Sequence, residues 1–393
     1  MLALRAERAF DGERSIAGPV TVVTEGGKIK AVEHGHPDVP GAEVVDLGTA
    51  TVLPGLVDTH VHLCGDGGLG ALDRLPSFTP EHLDSVIEES LDLHLRAGVT
   101  TVRDLGDRAW AVTDQRDRFR QRVLASGPPI TSPRGHCWSM GGEATGDEEL
   151  RRAVRERAER GVDIVKIMAS GGFATPGTVV DDCQFTEHDL RVVVEEAHSL
   201  GLPVTAHAHS LAAVRHAVTA GVDGIEHCTC LAGGAMVLPA DLMDALAEAD
   251  IAVCHTLGST SEPPPHIQEA FDRMGMSLAA KIDAVGRMHD HGVRAVSGTD
   301  GGIAPGKGHG ITAHALGNMI EAGLPNSVVL ASATSQAARA CGVSKGVLKP
   351  GWDADVIAVQ GNPMRDITAL HHVTTVVIGG QIATTVLPTD RRE

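Results

Sequence analysis

The sequence predicts an α/β fold: a (β/α)8 barrel of the TIM type, with a small β-sandwich built from both ends of the chain. Three observations predict it. First, a pattern recurs in which a helix closes on glycine, an apolar strand follows, and a polar residue able to bind metal stands at the strand end. Gly161-Val162 leads to Lys166, Gly201-Leu202-Pro203-Val204 to His207, Gly221-Val222 to His227, and Gly292-Val293 to Asp300. Second, strand candidates at 52–60, 99–104, 128–133, 162–168, 203–207, 222–227, 251–255 and 293–298 alternate with helical stretches, giving the eight that such a barrel needs. Third, both termini are rich in short strands, yet neither has enough of them to bury a face alone. A doubly wound open sheet is the competing reading. It would gather ligands at one switch point, not from strands spread along the chain.

In chain order, Val20-Thr21-Val22-Val23-Thr24 and Ile29-Lys30-Ala31-Val32 flank the turn Glu25-Gly26-Gly27-Lys28. Thr79-Pro80 opens a helix with proline at its first position, and Gly98 closes it. The charged run from Asp147 to Arg160 reads as a helix with a solvated outer face. Thr186-Glu187-His188-Asp189 has capping-box form and starts a helix that stops at Gly201. The tail returns to strands at 354–359 and 373–378. The expected division is therefore a composite sandwich from 1–51 and 344–393, interrupted by a catalytic barrel at 52–343.

With 393 residues the chain suits a barrel of roughly 250 residues plus an extra domain. Aromatic residues make up only 2%, with no Tyr, so stacking platforms for single-stranded nucleic acid are not expected. A formal charge of -18 disfavours phosphate backbones and anionic membranes as partners. The seven cysteines form no regular framework, and Cys228-Thr229-Cys230 has no second pair at zinc-finger spacing. The N-terminus is charged too early for a signal peptide, and no run is long enough to span a membrane. A cytoplasmic protein is expected.

The chemistry begins at Pro54-Gly55-Leu56-Val57-Asp58-Thr59-His60-Val61-His62. An i, i+2 pair on a strand points both imidazoles to one face, so His60 and His62 are able to grip one metal ion. Lys166, between apolar neighbours, is expected to face the interior. A salt bridge is one explanation; the other is a desolvated, neutral amine that adds CO2 to give a carbamate able to bridge two cations. In Thr205-Ala206-His207-Ala208-His209, His207 lies nearer the strand proper and is the first choice of ligand. His209 then contacts substrate or supports the ligands from behind. His227 ends an apolar strand, and Asp300, set among glycines after the last strand, reads as a metal-bound catalytic base.

This ordered set resembles the amidohydrolase superfamily, in its imidazolonepropionase-related and prolidase-like branch. The likeness covers nearly the whole chain, from Leu53–His62 through Lys166-Ile167-Met168-Ala169-Ser170-Gly171-Gly172 and Thr299-Asp300 to the tail Lys349-Pro350-Gly351-Trp352-Asp353-Ala354-Asp355-Val356. It implies a binuclear site, zinc being the expected metal. His60, His62 and Asp300 would hold one ion, His207 and His227 the other, and carboxylated Lys166 would bridge. It also implies that His136 polarises the carbonyl or stabilises the oxyanion. Glu143, His255 and His309 join His136 and His209 as candidate substrate contacts, His309 within a glycine-rich stretch that lacks the ending of a phosphate loop. The strand-four lysine argues against imidazolonepropionase activity itself. The expectation is hydrolysis of an amide in a small or peptidic substrate, with a deaminase or cyclic amide hydrolase as runner-up. A silent binding homologue is disfavoured because no ligand is missing. A homo-oligomer is expected.

Overall fold

The computed structural model describes residues 1–385. Eight parallel strands form its centre: β1 (Leu56–Val61), β2 (Val99–Asp104), β3 (Arg122–Ala125), β4 (Val165–Met168), β5 (Val204–Ser210), β6 (Gly224–Ala232), β7 (Ala252–Cys254) and β8 (Ala295–Val296). They lie in two sheets, ordered β3-β2-β1 and β4-β5-β6-β7-β8. Hydrogen bonds connect the sheets at both edges. Past β8, Asp300 N donates to His60 O at 2.8 Å and His62 N to Gly301 O at 2.9 Å. Past β3, Ile130 N donates to Lys166 O and Met168 N to Ile130 O, both at 2.8 Å. That continuity is what a parallel barrel requires.

The helices begin where their caps predict. Thr79 accepts from His82 N at 3.2 Å ahead of the helix Pro80–Arg96. Thr186 and Asp189 form a reciprocal capping box before Glu187–Ser199. Each such cap is worth about 1 kcal/mol. The run expected to be a solvated face forms the helix Gly146–Glu159, with one correction: Arg157 is 1% exposed and turns inward.

Two strands differ from expectation. The run 52–60 divides at Gly55, where a Cβ would lie 2.2 Å from Thr100 Oγ1. Thr51–Pro54 pairs antiparallel with Val356–Val359, so the chain enters the central sheets after residue 54. The strand expected at 128–133 is replaced by β3, because Pro128 and Pro129 lack the N–H groups a ladder needs. Only Ile130 and Thr131 make isolated bridges.

The termini contribute a four-stranded and a six-stranded sheet. The latter carries strands from both ends, Arg8–Phe10 and Thr51–Pro54 beside Val356–Val359 and Val373–Ile378. One apolar cluster draws on both sheets, including Leu4, Val22, Val52, Val356 and Val377. Residues 386–393 of the expected terminal domain lie outside the described residues.

Candidate metal centre

Strand alternation brings His60 and His62 to the same end of β1, and each ring is oriented by an acceptor. His60 Nδ1 lies 2.8 Å from Glu226 Oε2, and His62 Nδ1 lies 3.1 Å from Gly106 O. With Nδ1 of each ring directed at its acceptor, Nε2 of both rings faces Asp300. The two Nε2 atoms are 3.4 Å apart, each 3.3 Å from Asp300 Oδ1. His227 bonds through Nδ1 to Thr256 Oγ1 at 2.9 Å, which leaves Nε2; His207 bonds through Nε2 to Gly171 O at 3.0 Å, which leaves Nδ1. Ligand atoms of His60, His227 and Asp300 lie within 4.8 Å of one another, as do those of His207, His209 and His227. His227 (φ 67°) and Asp300 (φ 57°) both adopt left-handed backbone, strain of about 1–3 kcal/mol each that the surrounding sheet sustains.

Lys166 stands among these residues, 1% exposed, and its Nζ has no hydrogen-bond partner. Burial pushes its pKa down, against the pull of Glu226 and Asp300. An ammonium left this way costs several kcal/mol. The orphaned amine amid imidazole and carboxylate donors fits a site completed by divalent metal. Cys254 also comes within 4.8 Å of His60 and Glu226, and burial raises its thiol well above the ordinary range.

The charge states suit ligation. Burial pushes His60 down to about 4, and His207 and His227 well below the usual imidazole value, which keeps them in the neutral, ligating form. Burial alone would raise Asp300, but His60 and His62 hold its carboxyl well below the usual range. His62 is the reverse case: burial lowers it, and the bond to Asp300 carries it back above its ordinary value.

Among the substrate-contact candidates, His136 packs with its ring centroid 4.6 Å from that of His207, and burial pushes it to about 3. His209 stacks on His227 at 4.4 Å and bonds Thr229 Oγ1 at 2.9 Å. His255 Nε2 is buried without a partner. Two candidates are placed otherwise. Glu143 is exposed and its Oε1 accepts from Arg134 N at 2.6 Å. His309 has both nitrogens engaged, Nδ1 with His94 Nε2 at 3.2 Å and Nε2 with Gly65 O at 2.8 Å, so neither is left for a substrate.

Sequence reasoning missed Glu226. It is 0% exposed and joins His60 to Arg103 Nη2 at 3.2 Å and Thr205 Oγ1 at 2.6 Å. An acid within the apolar run Gly224-Ile225-Glu226-His227 is the signal that was available. Arg103, equally buried, had none beyond its place in β2.

The sequence model of the amidohydrolase family matches residues 51–383. The chain belongs to the amidohydrolase family. It is 28% identical to ochratoxinase of Aspergillus niger over 379 residues, covering 84% of this chain and 75% of that protein. Imidazolonepropionase of Mesorhizobium japonicum is 26% identical over 351 residues, covering 81% and 79%. A crystal structure of a Xaa-Pro dipeptidase with bound methionine in the active site superposes with a TM-score of 0.85 at 26% identity, covering 97% of this chain and 99% of that one. This amidohydrolase is thus a hydrolase of C–N bonds, and its relatives carry the TIM-type barrel to which its parallel sheets conform. Among the described residues, no helix is long and apolar enough to cross a membrane.

Proposed function

We propose that this amidohydrolase holds two divalent metal ions, with zinc as the expected metal, and cleaves an acyclic amide in a small or peptidic substrate as a carboxypeptidase or dipeptidase does. His60, His62 and Asp300 would hold one ion, and His207 and His227 the other. Lys166 would bridge them after its neutral amine adds CO2, forming an N–C bond and releasing one proton to leave a carbamate. The observation that carries this reading is the buried, unpartnered Lys166 Nζ amid free imidazole nitrogens. We also read the two parallel sheets as one closed barrel and the terminal sheets as a β-sandwich, since hydrogen bonds join the former at both edges and one apolar cluster draws on both of the latter. It requires no partner beyond substrate and further copies of the chain.

Bound metal would polarise the amide carbonyl and acidify a water molecule. The protein's own groups do the rest. Asp300, held ionised, takes the proton from the attacking water and passes it to the leaving amine. Thr175 Oγ1 accepts from Cys137 N at 2.9 Å and stands 2.9 Å from His136 Nδ1, to which its hydroxyl would donate. That assignment puts the His136 proton on Nε2, where it donates to the developing oxyanion.

The test is to incubate the metal-loaded chain with dipeptides, N-acyl amino acids and cyclic amidines while assaying free amino acid and ammonia. Amino acid release from the acyclic amides is expected. Ammonia release from the rings with inert dipeptides would overturn the assignment and make Lys166 structural.

A further inference from the structure

The chain's few aromatic residues are not evenly spread. Of six Phe, two meet beside the metal centre. Phe173, on the segment after β4, packs edge-on against His209 with centroids 5.3 Å apart and against Phe271 at 4.8 Å. Phe271 lies on the helix Pro265–Arg273, after β7, so both rings come from connections at the C-terminal ends of strands, where barrel enzymes build their sites. Both are only half-buried, alongside Met236 and Met274. They form an apolar wall that protein leaves partly uncovered.

At the far end of that wall stands a cation. Lys281, on the helix Leu278–Asp290, places Nζ 4.1 Å from the centroid of Phe271. The two rings connect it in space to His209, from Lys281 to Phe271, Phe271 to Phe173 and Phe173 to His209. Among the described residues no carboxylate pairs with it, whereas Lys307, the neighbouring cation, is tied to the carbonyls of Thr256 at 2.6 Å and Thr299 at 3.0 Å. Burial, with the charge of Lys307, pushes Lys281 down to about 8. That is the condition of an ammonium short of an anion.

We propose that Lys281, Phe271 and Phe173 form the subsite for the amine half of the substrate, an amino acid with an apolar or aromatic side chain and a free carboxylate. The carboxylate takes the Lys281 ammonium and the side chain lies on the two rings, which places the scissile amide between His209 and Asp300. This rests on the amide-hydrolase reading above and narrows its substrates to N-acyl amino acids and dipeptides with an apolar C-terminal residue.

The test compares N-acetyl-L-phenylalanine with its carboxamide on the metal-loaded enzyme, by hydrolysis and by calorimetric binding. A charge-assisted hydrogen bond to a half-buried ammonium supports a preference of about ten- to hundredfold for the free acid. Lys281→Met should erase that preference through KM and binding, with metal content and melting temperature held, and Lys281→Arg should restore part of it. Phe271→Ala should weaken binding of the acid without changing the preference. Wild-type enzyme that hydrolyses both compounds equally well, or a Lys281→Met variant that keeps the preference, would overturn the subsite while leaving the hydrolase reading intact. Binding of the acid with the Lys281-dependent preference, but hydrolysis of neither compound, would uphold the subsite and remove the hydrolase reading.

Discussion

Replacing Glu226 by glutamine tests whether the proposed metal ligand His60 is held in place by the carboxylate behind it. The side chain is 1% exposed and serves three partners: His60 Nδ1 at 2.8 Å, Thr205 Oγ1 at 2.6 Å and Arg103 Nη2 at 3.2 Å. Glutamine keeps the volume and one acceptor but removes the charge. Arg103 is then left with the neutral carbonyl of Thr59, 2.7 Å from its Nε. Breaking a buried ion pair from one side costs about 3–5 kcal/mol. Losing the carboxylate behind a ligating histidine costs about 10- to 100-fold in metal affinity. Since glutamine still offers an acceptor, the expected values are the lower ones: about 3 kcal/mol in urea unfolding and about tenfold in a chelator competition titration. The pH sign also follows. Burial would raise Glu226, but His60, Lys166 and Arg103 hold it well below the usual carboxylate range. Its contribution is therefore complete above the unfolded pKa of about 4.3 and is lost only as pH falls through the depressed folded value. The gap between wild type and variant should accordingly be flat from pH 6 to 8. A stability change under about 1 kcal/mol with metal affinity within twofold would refute the reasoning.

Asp300→Asn should cost about 10²- to 10⁴-fold in turnover while sparing most bound metal, as measured by kcat beside metal analysis. Asp107 offers a second pH test. Burial and the neighbouring Asp104 raise it to about 7, and its Oδ1 has no partner. Between about pH 4 and pH 7 the folded chain keeps a proton that the unfolded chain gives up, so stability from this group falls as pH rises. Urea unfolding at pH 5 and pH 8 should show that fall in wild type and a smaller one in Asp107→Asn.

What could be read from sequence was whatever local chemistry controls. Thr79, Thr186 and Gly221 mark helix ends because a cap or a left-handed residue acts within a few positions, and each stands where it was expected. The metal-ligand candidates were visible because a polar residue closing an apolar strand needs a reason. What escaped depends on contacts distant in the chain. Gly55 divides a continuous apolar run only because Thr100 crowds it, and periodicity cannot register that. The two prolines at 128 and 129 did carry a local signal against a strand there, which the apolar pattern outweighed. His309 looked available as part of a glycine-rich stretch, but His94 and Gly65 take both its nitrogens from far away in sequence. Glu226 and Lys281 acquire their roles only when β1, β6 and the helices after β7 come together.

The central claim is that Lys166 becomes an anionic bridge between two metal ions. Its most direct test is to load the purified protein with zinc in ¹³C-bicarbonate, then count metal per chain and record the carbon NMR spectrum on the same sample. Two ions per chain and a carbamate resonance are expected, both lost in Lys166→Ala and, for the metal, partly restored by a short-chain carboxylate. A single ion per chain, with no carbamate resonance and a Lys166→Ala variant that binds metal as wild type does, would contradict it.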